Sequence, residues 1–217
     1  MPVSYTVVLS AILRTIAEPV RIDPGEGGMA WYGTPTELVL TNDEGRTFTE
    51  GLKALGLSLQ SSILRRDWTY HVSGDFGQNP ITREAFIKHS EMTQSEICAS
   101  APAHQAIAGK ATICGTGKVV NVSFDNFNED EEWHLTVEAE HDLFDPKQKQ
   151  LIKFEIIYCF GYFTPRVEEA EYIKKGASIF LQGTLVSQDP ISKRFIAQVM
   201  HHAEVKANVI GNVVWVE

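Results

Sequence analysis

Apolar and polar residues alternate along several segments of the chain, most regularly between Trp133 and Phe144. In the segment WHLTVEAEHDLF, residues Trp133, Leu135 and Val137 fall on one side, and polar or acidic residues fall on the other. Side chains of a β-strand point alternately to its two faces, so a period of two indicates a strand with one buried face. We therefore predict a half-buried β-strand in this segment.

The residues on either side of this strand predict the order β-β-β-α-β-β between residues 109 and 205. GKATICGTGKVVNVSF predicts a long first strand that bends at its two glycines. LIKFEIIYCFGYF predicts an aromatic third strand, and ASIFLQGTLV and KRFIAQVMHHAEV predict the last two, joined by the turn SQDPIS. TPRVEEAEYIKKG predicts a short helix that begins at Thr164 and Pro165 and ends at Gly176.

Residues 1–95 carry a weaker pattern of the same kind. SYTVVLSAILRTI, TELVLTNDEG, DWTYHVSGDF and REAFIKHSEM predict strands, whereas TEGLKALGLSLQSSIL has the spacing of a helix. PVRIDPGEGGMAWYGTP predicts a long loop that carries Trp31 and Tyr32. The stretches GDFGQNPITREAFIKHS and GTLVSQDPISKRFIAQV share a glycine, an Asx-Pro-Ile turn and a basic residue. Common hairpin chemistry and one fold used twice both account for this similarity.

The element order of residues 109–205, with KKGASIFLQGTL leading from the helix into a strand, resembles the OB-fold. In particular it is similar to single-stranded nucleic-acid-binding proteins of the replication-protein-A type. The resemblance implies an all-β fold with one or two short helices, an OB-fold-like Greek-key β-barrel, with two such barrels in tandem. The expected domains are residues 1–95, a degenerate OB-like barrel, then a linker at 96–108, and an OB-fold domain at 109–217 with a β-prone C-terminal tail.

Composition limits the classes of ligand. With 43% hydrophobic residues the chain can bury a core. Its formal net charge of -9 argues against a general basic surface for duplex DNA or for an anionic membrane. A local basic groove remains compatible with this charge, because binding depends on the local electrostatic field.

Targeting and redox signals are weak. The N-terminal apolar run lacks a basic leading region, is interrupted by Arg14 and is too short to span a bilayer. We therefore expect a soluble intracellular protein of the nucleus or cytoplasm, with no signal peptide and no membrane partner. Cys98, Cys114 and Cys159 form no C-x-x-C pair, so we expect neither a disulfide framework nor a zinc site.

No motif in the chain supports catalysis. CGTGKVV resembles part of a phosphate-binding loop, but Thr112 stands where the first glycine of that motif belongs, and Val119 follows the lysine. His201 and His202 are adjacent on a predicted strand, so they point to opposite faces and cannot both ligate one metal ion. We expect no catalytic residues, no metal and no cofactor, and we predict that the protein is not an enzyme.

Binding a flexible nucleic-acid strand requires exposed aromatic residues for stacking and cations for phosphates. Ile179 and Leu181 are expected to face inward, which leaves Phe180 on the outside of its strand. The resemblance places Lys193 and Arg194 in the hairpin that forms one side of an OB-fold groove. The candidate nucleic-acid-binding residues are Phe180, Lys193, Arg194, Lys153, Trp133, Lys149 and Arg166. The leading hypothesis is binding of single-stranded nucleic acid, with DNA favoured over RNA.

A protein-interaction or oligomerisation module is the alternative hypothesis. The acidic segment DNFNEDEE would repel phosphates and could instead contact a basic protein partner. The C-terminal ANVIGNVVWVE is apolar and β-prone, so it could add a strand to another chain, including a second copy, or close its own domain.

Overall fold

The computed structural model describes residues 4–24, 29–42, 44–125, 134–162, 172–207 and 213–215, which are mostly β-strand. The strands are β1 (Val7–Thr15), β2 (Val20–Pro24), β3 (Ala30–Thr41), β4 (Thr47–Ser58), β5 (Thr69–Gln78), β6 (Ala85–Ser90), β7 (Gln94–Cys98), β8 (Thr112–Asp125), β9 (His134–Asp145), β10 (Gln150–Tyr162), β11 (Ser178–Gln188), β12 (Phe195–Ala207) and β13 (Val213–Trp215). Among the described residues, the short helix α1 (His104–Ile107) and two 3-10 turns (Gln60–Ser62 and Glu91–Thr93) accompany them.

The strands close two rings that have the same pairing order. In the first barrel, β1 pairs with β3, β3 with β4, β4 with β6, β6 with β5, and β5 again with β1. In the second barrel, β8, β9, β10, β12 and β11 close in the same order. Each ring has one parallel pair, β4–β6 or β10–β12, and antiparallel pairs elsewhere. The predicted class, an OB-like Greek-key barrel, is confirmed. The domain boundaries at residues 95 and 108 remain predictions.

Burial follows the alternation from which the strands were predicted. In β9, every second residue from Leu135 to Asp145 is buried, and the residues between them are more exposed. In β10, the aromatic side faces inward, with Phe154 and Tyr158 buried in the core. Ile179 and Leu181 of β11 are also buried, so Phe180 points outward as predicted.

Two predictions for the first barrel are wrong. The segment with helical spacing forms strand β4, because β3 and β6 pair with both of its edges and satisfy its backbone groups. The segment predicted as a long loop contributes β2 and most of the start of β3, and Trp31 pairs with Leu57 of β4. Tertiary pairing therefore overrides local spacing at both places.

Other predicted segments lie partly outside the described residues. These are the acidic loop at 126–133, with Trp133, and the predicted helix up to residue 171, with Arg166. The predicted linker contains the end of β7 and the helix α1. The C-terminal tail contributes β13, whose Trp215 pairs with Val205 of the same chain.

The two barrels share one packed core. Residues Val7 to Ser10 of β1 pair antiparallel with Gly115 to Thr112 of β8, which joins the barrels through strands. At the junction, Phe76 of the first barrel meets Phe154 and Phe195 of the second edge to face, with ring centroids 5.9 and 5.3 Å apart. Buried residues of both barrels form one continuous hydrophobic cluster. The junction is therefore held by both backbone pairing and apolar packing.

His141 is a fully buried polar group at this junction. Its Nδ1 donates to the carbonyl oxygens of Thr116 at 3.1 Å and Tyr5 at 3.3 Å, and its Nε2 accepts from the Tyr158 hydroxyl at 3.0 Å. Burial lowers the pKa of His141 to about 4. The neutral imidazole therefore connects the segment before β1 to the interior of the second barrel.

No helix among the residues that the structure describes has the length and hydrophobicity needed to cross a membrane.

Candidate nucleic-acid interface

The two similar sequence stretches form two hairpin turns of the same geometry. In the first hairpin (residues 79–84), Asn79 Oδ1 accepts from the backbone N–H groups of Ile81 and Thr82, both at 2.8 Å. In the second hairpin (residues 189–194), Asp189 Oδ1 accepts from the backbone N–H groups of Ile191 at 3.2 Å and Ser192 at 2.6 Å. These bonds are Asx turns, and they fix both hairpin tips in the same shape.

Each hairpin presents an isoleucine and a basic residue at equivalent positions. Ile81 is 89% exposed and Ile191 is 92% exposed. Arg83 has a φ of 61° and Lys193 a φ of 60°, which is the left-handed region that glycine and asparagine favour. The tips therefore expose apolar and cationic groups together.

The second hairpin reaches across the junction between the barrels. The side chain of Gln78 is buried, and its Nε2 donates to the carbonyl oxygens of Arg83 at 3.0 Å and Lys193 at 2.7 Å. Lys193 also lies near Glu50 of β4. Burial raises the pKa of the Glu50 carboxyl group, and the positive charge of Lys193 lowers it again in part. The second hairpin thus contacts the first barrel.

A groove of about 310 Å³ lies where the first hairpin meets the outer face of β9 and β10. It combines two residues of the first hairpin with six residues of the second barrel. Its lining residues are Pro80, Arg83, Glu140, Lys153, Phe154, Glu155, Ser192 and Arg194. The predicted residues Lys153 and Arg194 are therefore brought together, and the first hairpin joins them.

Arg194 is held between two carboxylates. Its Nη1 donates to Glu138 Oε2 and to Glu155 Oε2, both at 2.7 Å, and its side chain is only 19% exposed. Although burial lowers the pKa of Arg194, its hydrogen bonds to these two carboxylates raise it above the usual value. Its positive charge is thus balanced locally, which weakens its attraction for a phosphate.

Lys149 in the β9–β10 turn and Lys153 in β10 are exposed but also face carboxylates. Lys153 Nζ lies 2.6 Å from Glu140 Oε1, and Lys149 Nζ lies 3.2 Å from Asp23 Oδ2 of the first barrel. These surface ion pairs are weak and open easily, because water solvates both partners. Lys153 and Lys149 therefore remain available to an anionic ligand.

Phe144 is an exposed aromatic residue beside these lysines that the sequence reasoning missed. It is 48% exposed on the outer face of β9, opposite Leu151 of β10, which is 62% exposed. The next outward pair along these strands is Asp142 with Lys153. A signal existed, because Phe144 falls on the polar side of the alternating segment, where an aromatic residue is unexpected.

Phe180 lies elsewhere on the second barrel. It is half-buried on the outside of β11, between Thr116 of β8 and Ala203 of β12. It does not line the groove that contains Lys153. Phe180 therefore lies outside the groove of Lys153 and Arg194, whereas Phe144 lies beside Lys153.

Among the described residues, no cluster of three or more His, Cys, Asp or Glu side chains could hold a metal ion.

Comparison with known proteins gives structural relatives only. No protein-family model matches the chain, and no curated protein matches its sequence. The wild-type single-stranded DNA-binding protein from Thermus aquaticus superposes with a TM-score of 0.54 and 12% identity, over 94% of each chain. A deletion mutant of that protein superposes with a TM-score of 0.52 and 13% identity, over 94% of this chain and 95% of the other. At this level of identity the likeness establishes the fold, an OB-like β-barrel architecture that extends over nearly the whole chain.

Proposed function

We propose that this protein binds single-stranded nucleic acid without enzymatic activity, and that DNA is the favoured ligand. The observation that carries the proposal is the exposed pair Phe144 and Leu151 beside Lys153 on the outer face of β9 and β10. An aromatic ring at such a place offers a base a stacking surface worth about 1–3 kcal/mol. We name this surface, with Lys147 and Lys149 of the adjoining turn, the stacking platform.

The charges of the platform favour weak, salt-dependent binding. Lys147, Lys149 and Lys153 can contact phosphates, but Glu140 and Asp142 lie on the same outer face of β9. With a formal net charge of -9 on the whole chain, long-range attraction for a polyanion is small. Affinity must then come from stacking and short-range contacts, and we expect it to fall steeply as salt rises.

The structural relatives support this proposal through the fold that they share with the chain. Both superposed structures are of a protein named for binding single-stranded DNA. Proteins that share a fold can have unrelated functions, so the structural likeness supports nucleic-acid binding only in general terms. The specific argument for binding comes from the stacking surface and the lysines of the platform.

Fluorescence anisotropy of a labelled oligo-dT of about 30 nucleotides tests the proposal, beginning at about 50 mM salt. We expect saturable binding that Phe144→Leu weakens by about 5- to 100-fold, because leucine keeps the apolar contact and removes the stacking surface. Phe180→Leu is the matched control, because this phenylalanine is also on an outer face but lies on β11, between β8 and β12, rather than beside Lys153. Absence of binding, or equal effects of the two substitutions, would count against the platform.

A charge-matched pair of variants tests the lysines. Lys147→Ala/Lys153→Ala removes two positive charges from the platform, and Lys174→Ala/Lys175→Ala removes two exposed charges that precede β11. We expect only the platform variant to reduce the dependence of log K on log salt, by about 0.7 for each lost phosphate contact. Competition by unlabelled oligo-rU tests the preference for DNA over RNA.

A protein-interaction role is the second candidate, and the exposed hairpin tips favour it. Ile81 and Ile191 expose apolar side chains at equivalent positions of the two hairpins, which offers a partner two matching contacts. If these tips contact a second copy, sedimentation velocity would show a concentration-dependent dimer that Ile81→Ser/Ile191→Ser dissociates. A monomer at all concentrations would contradict self-association.

A further inference from the structure

Three cations line the groove over β9 and β10, and they differ in how their charge is balanced. Lys153 pairs with Glu140, and Arg194 pairs with both Glu138 and Glu155. Within the part of the chain that the structure describes, Arg83 forms no ion pair. Arg83 therefore supplies the unbalanced positive charge of the groove, although it belongs to the first barrel.

The backbone at Arg83 provides a second, independent observation. Its φ of 61° lies in a region that disfavours side chains with a Cβ, and glycine or asparagine would fit this turn position with less strain. The Arg83 N–H donates to the Asn79 carbonyl at 3.0 Å, and the Arg83 carbonyl accepts from Gln78 Nε2 at 3.0 Å. The backbone is thus fixed while the side chain stays exposed. Lys193 has the same conformation in the second hairpin, so both hairpins keep a cation at a turn position where glycine would be less strained.

Lys153 connects Arg83 to the stacking platform. It lines the groove together with Arg83, and it lies two residues along β10 from Leu151, the cross-strand partner of Phe144. A base stacked on Phe144 would therefore place its neighbouring phosphates along Lys153 and towards Arg83. A guanidinium group can hold two oxygens of one phosphate at once, which suits this position at the end of the path.

We infer that Arg83 is the principal phosphate contact of the second barrel's groove, so that the nucleic-acid site is composite and requires the hairpin of the first barrel. This inference rests on the proposed function and assigns the phosphate path within the same site. It also changes the role expected for Arg194. That residue orients Glu138 and Glu155 and shapes the groove, while Arg83 contacts the ligand backbone.

The test compares Arg83→Ala, Arg83→Lys and Arg66→Ala in the full chain by anisotropy with labelled oligo-dT across a salt series. Arg66 is a matched control because it is an exposed first-barrel arginine, and its ion-pair partner is the adjacent Asp67. We expect Arg83→Ala to weaken binding by about 5- to 20-fold and to lower the salt slope by about 0.7. Arg83→Lys should keep most of the slope, and Arg66→Ala should stay within about twofold of wild type.

The outcomes separate this inference from the proposed function. If wild type binds and Phe144→Leu weakens binding, but Arg83→Ala behaves like Arg66→Ala, the composite site is wrong and the platform stands. If wild type shows no saturable binding, both fail. Circular dichroism confirms that each variant folds. Arg83→Gly, which suits the positive φ, replaces Arg83→Ala if the alanine variant is unfolded.

Discussion

Arg83→Gly should make the fold more stable and the nucleic-acid complex weaker, which few surface substitutions do together. The left-handed conformation costs an L-residue about 1–2 kcal/mol, and glycine removes this cost. Glycine also increases the conformational entropy of the unfolded chain, which lowers the free energy of unfolding by about 0.4–1 kcal/mol. The exposed Arg83 side chain loses no ion pair seen in the described residues. The net expectation is a gain of about 0.5–1 kcal/mol in the free energy of unfolding.

Urea titration measures this gain, and thermal unfolding should show a rise of about 1–4 °C in Tm for a chain of this size. Anisotropy with oligo-dT should show binding weakened to the same extent as in Arg83→Ala. Lys193→Gly is the internal control, because Lys193 has the same φ but also lies near the partly buried Glu50. Its gain in stability should be smaller. A loss of stability in Arg83→Gly would refute the reasoning, because the backbone strain would then not be the dominant effect.

Three further predictions concern stability. Lowering the pH from about 7 to about 5 should cost about 2 kcal/mol for each of His89 and His141, because burial lowers both pKa values to about 4 while an unfolded histidine takes up its proton near 6.5. Urea titrations at several pH values check this, and His141→Gln should reduce the slope; a flat profile would contradict it. Arg194→Ala should destabilise the fold by about 1–3 kcal/mol through two unbalanced carboxylates, with partial rescue by Arg194→Lys. Gly183→Ala should cost about 3 kcal/mol because its Cβ would lie 2.2 Å from a carbonyl oxygen, whereas Gly51→Ala, with no atom within 4 Å, should cost much less.

The sequence predicted strands well where one face of the strand is buried. The alternation in β9 and β11 gave both the strands and the direction of their side chains, because a half-buried strand imposes a period of two. It failed for β4, where the spacing of the leucines suggested a helix although Gly51 and Gly56 weaken that pattern. Pairing partners that lie far away in the chain decide that segment, and local spacing holds no information about them.

For the candidate site, the sequence identified the two hairpins and the lysines, but it did not predict how they are placed relative to one another. It placed Lys193 and Arg194 on one side of their own barrel's groove. The packing of the two barrels instead places Arg83 in that groove. Arg194 forms ion pairs with Glu138 and Glu155. Phe144 could have been found from its parity in the alternating strand, whereas the contribution of Arg83 depends on how the barrels pack together.

The long-range pairing of strand β1 affects how the chain folds during synthesis. Its residues 13–15 pair with β3, residues 8–14 with β5, and residues 7–10 with β8, which is about a hundred residues away. During synthesis the first barrel can close, but the edge at residues 7–10 stays unpaired until residue 115 has left the ribosome. This long-range pairing should slow the last folding step. In that interval β8 of a neighbouring nascent chain can occupy the edge, so a strand-swapped dimer is the natural competitor of correct folding.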